Sequence, residues 1–330
     1  MGKLRVTLAC WDYDRTRALA DGRVRLEGIE LIYLSLPPEE TFWRMVRHLE
    51  FDVSEMSFSS YTIARARGED RFIAIPVFPS RVFRHSAIYI RANAGIRHPQ
   101  DLRGRRVGVP EYQMTAAVWA RGLLQEEYGV SPEEIEWFTG GLEQPGRREK
   151  LELTLPPSIR IRPIPSDRTL TEMLLVGELD AVITARAPSA FAHGDGRIAR
   201  LFPNYWEEEK AYYDRTGIFP IMHTIVIRRD LYDAHRWLAA QLYRVFEEAK
   251  QLARRELFEI AALKVMHPWI VAEAEQLRRR FGEDWWPYGL EPNRRTIATL
   301  VRYLVQQGLI ERAVEPEALF APETLEIAKV

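Results

Sequence analysis

Arg81, Phe83 and His85 stand two residues apart in Phe78-Pro79-Ser80-Arg81-Val82-Phe83-Arg84-His85-Ser86, a run that continues as Ala87-Ile88-Tyr89-Ile90. Read as an extended strand, whose side chains alternate faces, the three point the same way. A guanidinium fork, an aromatic wall and a titratable ring on one face suit a flat anionic ligand and a proton transfer to or from it. The same spacing also describes a strand edge guarded by charges. A second histidine, His223, closes Thr216-Gly217-Ile218-Phe219-Pro220-Ile221-Met222-His223, where glycine and proline break a helix and the chain turns extended.

Other candidates sit where strands end. Tyr112 to Thr115 follow a strand ending at Val109 and precede a helix through Tyr128, so free N–H groups there would hold a carboxylate or phosphate. Ordinary capping by Thr115 is the plainer reading. Arg186 follows the buried strand Leu179–Ile183 and arrives at its carboxyl end. The stretch from Gly141 to Pro165 is long, polar and rich in arginine and proline; loops of this length are either functional or disordered, and a functional one here would lie over a cleft.

The elements that must position these residues begin as alternating short strands and helices over the first ninety residues, and a second such series starts near Ala92. Alternation of this kind implies mostly parallel sheets with ligands at the carboxyl ends of the strands. Beyond Thr224-Ile225-Val226-Ile227-Arg228 the periodicity predicts helices over Ala234–Glu256, Leu257–Met266, Pro268–Phe281 and Arg294–Gln307. One lobe, a crossing near residue 90, a second lobe and a return near residue 220 make an α/β, two-lobe type II periplasmic-binding-protein-like fold. Each lobe is a mostly parallel sheet with flanking helices, with further helices at the C-terminus. Residues 1–90 and 221–330 form the first, discontinuous lobe and 91–220 the second, with the ligand cleft between them.

Composition bounds the partners. The chain has 330 residues, 46 Lys and Arg against 47 Asp and Glu, and a formal net charge of -1, so no global field draws nucleic acid or an anionic membrane. Its single cysteine, Cys10, excludes an intrachain disulfide and a multi-cysteine metal site. No HExxH or His-x-His spacing occurs, so no metal and no cofactor is expected. The strand Val6-Thr7-Leu8-Ala9 follows the first residues with no apolar run of signal-peptide length, and the expected location is cytoplasmic. Association into a homo-oligomer is left open.

Six runs then carry a resemblance: FPSRVFRHSAIYI at 78–90, GVPEYQMTAAVWARGLLQEEYGV at 108–130, GELDAVITAR at 177–186, TGIFPIMHTIVIR at 216–228, WPYGLEPNR at 286–294 and QQGLIER at 306–312. Together they resemble the 4,5-dihydroxyphthalate decarboxylase family over nearly the whole chain. The resemblance implies a small aromatic dicarboxylate as substrate and loss of CO2 to give a dihydroxybenzoate. A carbanion left in the ring plane is not delocalised, so a proton must reach the ring carbon first, pushed by a hydroxyl para to the departing group.

On that reading His223 serves the ring carbon and His85 the phenol end. Arg81 is the first choice, ahead of Arg84 and Arg186, to hold the carboxylate that stays. Phe83, Phe219 or Trp286 would wall the departing group, and Tyr112, Thr115 and Tyr288 would bond the catechol-like oxygens. The rival reading is a cytoplasmic binding protein of the same fold that holds an aromatic acid without turnover.

Overall fold

The computed structural model describes residues 2–327. Its strands are β1 (Leu4–Cys10), β2 (Ile29–Ser35), β3 (Val53–Ser57), β4 (Phe72–Ile75), β5 (Ile88–Arg91), β6 (Arg106–Val109), β7 (Glu136–Thr139), β8 (Arg160–Pro163), β9 (Ala181–Ile183), β10 (Ile198–Arg200) and β11 (His223–Arg228). One sheet has the order β2-β1-β3-β11-β4 and the other β10-β5-β9-β6-β7-β8. Both are mixed. In the first, β11 runs antiparallel to its two neighbours, and in the second, β5 runs antiparallel to β9 and β10.

Local chemistry explains the elements around the site. The helix Pro38–His48 starts with proline and two glutamates in its first turn, where a missing N–H costs nothing and the dipole favours negative charge. It buries Thr41, Phe42, Met45 and Val46 along one face. β3 reads VSEMS and is buried throughout, because helices cover the sheet on both sides. The helix Thr115–Tyr128 is buried along its first ten residues and stops at Gly129, which takes φ +68.

That helix ties the two lobes together. A Cβ on Gly122 would stand 2.0 Å from the Tyr303 ring of the helix Arg294–Gln306, so only glycine permits this approach. Trp119 donates to the Ile221 carbonyl at 2.9 Å, Arg121 donates to Gln307 at 2.9 Å, and Gln307 donates to the Val118 carbonyl at 2.9 Å. The Thr115 hydroxyl lies 2.9 Å from those of both Ser57 and Ser59. These bonds are buried and mutually supporting.

Two expected elements are absent. Residues 78–87 do not form a strand: a bridge pairs Arg81 with Ile221, and a 3-10 turn covers His85–Ala87 before β5 begins. The helix expected over Leu257–Met266 is likewise not formed. Ile260, Leu263 and Met266 are exposed there, and an isolated amphipathic turn with no surface to pack on has little to hold it helical. Within the polar stretch Gly141–Pro165, β8 forms at the sheet edge. Among the described residues no helix is long and apolar enough to cross a membrane.

Candidate active site

β3 and β11 pair antiparallel with His223 opposite Ser57 and Ile225 opposite Glu55. That register puts Glu55 and His223 diagonally on one face, within reach of each other. His223 Nδ1 lies 2.5 Å from Glu55 Oε1. The Glu55 side chain has no solvent exposure, while the His223 side chain keeps 18%. β1 runs parallel to β3, so the turn after β1 arrives beside the same carboxylate. There the Trp11 amide donates to Oε2 at 3.0 Å, the Tyr13 hydroxyl donates to Oε1 at 2.7 Å, and the Cys10 thiol approaches Oε2 at 3.6 Å.

Burial alone would push the Glu55 carboxyl up. The His223 ring, the Trp11 amide and the Tyr13 hydroxyl outweigh it and hold the group below its ordinary value of 4.5. Burial and Glu55 keep the Tyr13 hydroxyl and the Cys10 thiol protonated. A carboxylate only accepts, so Nδ1 carries the proton and Nε2 is the ring nitrogen left for chemistry.

His223 lines a cleft of about 380 Å³, inside the usual range of about 300–1,000 Å³ for a small-molecule site. Trp11, Phe42, Val82, Met114 and Met222 give it apolar walls, and the Phe42 ring stands edge-on to His223 at 4.8 Å. Arg84, Arg147, Lys150 and Arg186 bring positive charge, against Glu39 as the one acidic residue of the wall among the described residues. Arg186 is tied to Glu39 across the mouth at 2.8 and 3.0 Å. Arg84 is different. It is buried, its Nε meets only the Met222 sulfur at 3.1 Å, and among the described residues it forms no ion pair. Burial draws it down to about 10, with Glu209 opposing, so it is a cation at neutral pH.

The helix Thr115–Tyr128 opens into the same cleft, with Met114, Thr115 and Ala116 in its wall. The first-turn amides of Thr115 and Ala116 have no backbone acceptor, as at any helix start, and they favour an anion. The Thr115 hydroxyl is engaged with Ser57 and Ser59. Among the described residues no group of three or more His, Cys, Asp or Glu side chains is placed to hold a metal ion.

None of the models of known protein families matches the chain. Among curated proteins, the chain is 42% identical over 330 residues to a 4,5-dihydroxyphthalate decarboxylase of Comamonas testosteroni, covering all of both chains. The chain belongs to the 4,5-dihydroxyphthalate decarboxylase family. A decarboxylase of the same name from Pseudomonas putida is 46% identical over 202 residues, 61% of this chain and 78% of that one. Of solved structures, the periplasmic aliphatic sulphonate binding protein SsuA of Escherichia coli matches with TM-score 0.55 at 14% identity, covering 98% of this chain and 99% of that one. The desulfurization enzyme DSZB matches with TM-score 0.54 at 14% identity, covering 98% of each chain. These likenesses establish the type II periplasmic-binding-protein-like fold and nothing about turnover.

For a family member of this fold, the parity of the segment 80–85 decides the site. Ser80, Val82 and Arg84 line the cleft, and Arg81, Phe83 and His85 do not. The Arg81 guanidinium turns the other way, donating to the carbonyls of Phe219 at 3.2 Å and Pro287 at 2.7 Å and to Asn293 Oδ1. It pins the C-terminal segment and is not the carboxylate clamp expected from spacing. Phe83 stacks on Phe219 at 4.7 Å and faces a separate, larger surface hollow of about 730 Å³ in which no histidine lies. Phe219 and Trp286 are likewise outside the cleft. The hydroxyls of Tyr112 and Tyr288 are buried without partners among the described residues, and neither tyrosine lines the cleft.

His85 is buried among Phe202 and Tyr212. Burial, aided by Arg215, lowers it from 6.5 to about 4, so it is neutral at pH 7 and has no proton to give. The unfolded chain takes up that proton as pH falls from about 6.5 to 4 and the folded chain resists it, so His85 makes stability fall across that window. His85→Phe is expected to leave turnover within about twofold and to flatten the loss of Tm between those pH values. A Tm series against pH, with kcat at pH 7, checks both.

Sequence reasoning missed Glu55, Arg147 and Lys150. For Glu55 a signal existed: an acidic residue centred in the buried strand VSEMS must have partners.

Proposed function

We propose that this protein decarboxylates 4,5-dihydroxyphthalate, or a close dihydroxylated aromatic dicarboxylate, to a dihydroxybenzoate. The observation that carries the reading is the His223–Glu55 pair facing a cleft beside Arg84, a buried cation that forms no ion pair among the described residues. Arg84 and the amides of Thr115 and Ala116 hold the carboxylate that stays. A fork on the departing carboxylate would stabilise the reactant more than the transition state, so that group faces the apolar side near Phe42 and Met222.

His223 Nε2–H delivers a proton to the ring carbon as the para oxygen pushes electrons into the ring. The C–C bond then breaks, its electron pair restores the aromatic ring, and CO2 leaves. Glu55 supplies the counter-charge for the imidazolium that donates, and solvent re-protonates it. The test is CO2 release with a change in ultraviolet spectrum on mixing the protein with 4,5-dihydroxyphthalate. Binding without turnover over hours would favour the binding-protein reading.

The two arginines separate binding from folding. Arg84→Met should raise KM and lower kcat/KM by about 2–3 kcal/mol, as for loss of a charge-assisted pair, and leave Tm unchanged or higher, since an unpaired buried charge is removed. Arg81→Met should leave the kinetics intact and cost roughly 2–4 kcal/mol of stability, because the carbonyls of Phe219 and Pro287 and the buried Asn293 Oδ1 each lose a charged donor. If the two variants exchange phenotypes, the parity assigned to this segment is wrong.

A further inference from the structure

Among the described residues Lys150 is the one lysine in the cleft wall, and the reaction above gives it no task. It lies on the stretch between β7 and β8, which is fixed by its own carboxylates. Glu143 accepts from the Thr171 hydroxyl and from the amide and hydroxyl of Ser189, each at 2.7 Å, and Glu149 accepts from the Tyr112 amide and from Gln113 Nε2. Lys150 Nζ sits 2.7 and 2.5 Å from the two oxygens of Glu111, and Arg147 donates to the same carboxylate at 2.6 Å. Glu111 is 2% exposed and Lys150 7%. Burial opposes ionisation of Glu111, and Lys150 and Arg147 overcome it. Two cations therefore meet on the Glu111 carboxylate, with Glu149 close by, and both Arg147 and Lys150 border the cleft.

The geometries of the cations divide their work. A planar guanidinium matches the two oxygens of a carboxylate, whereas an ammonium is a point charge that suits a single oxygen. The proposed substrate carries both kinds of group. His223 enters from the first sheet and Lys150 from a segment leaving the second, and both line one cleft.

We propose that Lys150, backed by Glu111, is a catalytic residue that binds the para hydroxyl of the substrate as phenolate; this rests on the decarboxylase reading. The hydroxyl O–H breaks on binding and its proton goes to solvent, while Lys150 keeps its own. The oxygen's electron pair delocalises to the ring carbon that takes the proton from His223. It returns to oxygen when CO2 has left, and the product regains a proton on release.

The probe is 3,4-dihydroxybenzoate, which carries the catechol and is the product of the proposed reaction. With the wild-type protein at pH 7 it should show the ultraviolet difference spectrum of an ionised catechol and release close to one proton per site in weakly buffered solution, and phthalate should do neither. Lys150→Met should abolish the spectrum and the proton release, lower kcat by about 10²–10³-fold, and bind phthalate within a few-fold of wild type. Lys150→Arg should restore part of the spectral change. If Lys150→Met does not fold because Glu111 has lost a partner, Lys150→Met with Glu111→Gln removes both charges and is expected to lose the same signals. A wild-type protein that turns over 4,5-dihydroxyphthalate but binds the probe un-ionised, or a variant that keeps the ionised spectrum, overturns the assignment alone. A wild-type protein that neither binds the probe nor releases CO2 overturns the decarboxylase reading and the assignment with it.

Discussion

Replacing His223 by asparagine should leave binding of the dicarboxylate nearly intact and lower kcat by a factor on the order of 10² to 10⁴. Asparagine keeps a donor of similar reach toward Glu55 but has no proton to transfer near neutral pH. The Phe42 contact and the apolar walls would remain, so the loss should fall on kcat and hardly on KM. In deuterated solvent the wild-type product should carry deuterium at the ring position vacated by CO2. An asparagine variant that turns over at the normal rate removes His223 from the proton path.

The Glu55→Gln variant is expected to lose comparable activity for a different reason, and to lose stability as well. The carboxylate accepts from Trp11, Tyr13 and His223 Nδ1 with Cys10 close by, and an amide in its place must turn a donor toward one of them. If the amide donates to Nδ1, the proton moves to the wrong ring nitrogen, and a fall in kcat of about 10²–10⁴ follows, as for a mis-set catalytic tautomer. A buried donor left unmatched costs about 1–3 kcal/mol, to be read from denaturant unfolding. Because the folded carboxyl titrates below its ordinary 4.5, its contribution to stability is present above that pH and fades as pH falls through the folded value. The acid limb of the stability curve should therefore be shallower in Glu55→Gln than in wild type. Unchanged kcat together with an unchanged acid limb would mean that Glu55 neither orients His223 nor carries its counter-charge.

What was legible in the sequence was what repeats or recurs. Alternating strands and helices with two chain crossings give the two-sheet plan, and the run ending at His223 marks the residue that reaches the cleft. In the segment 80–85, spacing shows that Arg81, Phe83 and His85 share a face without showing which face is wet. A shift of one residue exchanges every side chain across a strand. Here the bridge to Ile221 sets Ser80 and Val82 toward the cleft, and the turn at residues 85–87 ends the alternation just after Arg84 joins them. Arg147 and Lys150 were hidden differently. Their stretch has no periodicity, and the carboxylates that hold it, Glu111, Glu143 and Glu149, act through contacts no local pattern displays.

The glycine that seats Tyr303 against the helix Thr115–Tyr128 bears on how molecules come and go. Two-lobed folds of this kind are known for closing about a hinge, but here the lobes are riveted by Trp119, Arg121 and Gln307 as well as by that ring. Swinging the lobes apart would break several buried bonds at once. The Glu39–Arg186 pair at the mouth is a partly exposed ion pair, of a kind worth only about 0–1 kcal/mol. Of the two sets of ties between the lobes, the buried bonds around Gly122 are therefore the stronger and the exposed pair of Glu39 and Arg186 the weaker.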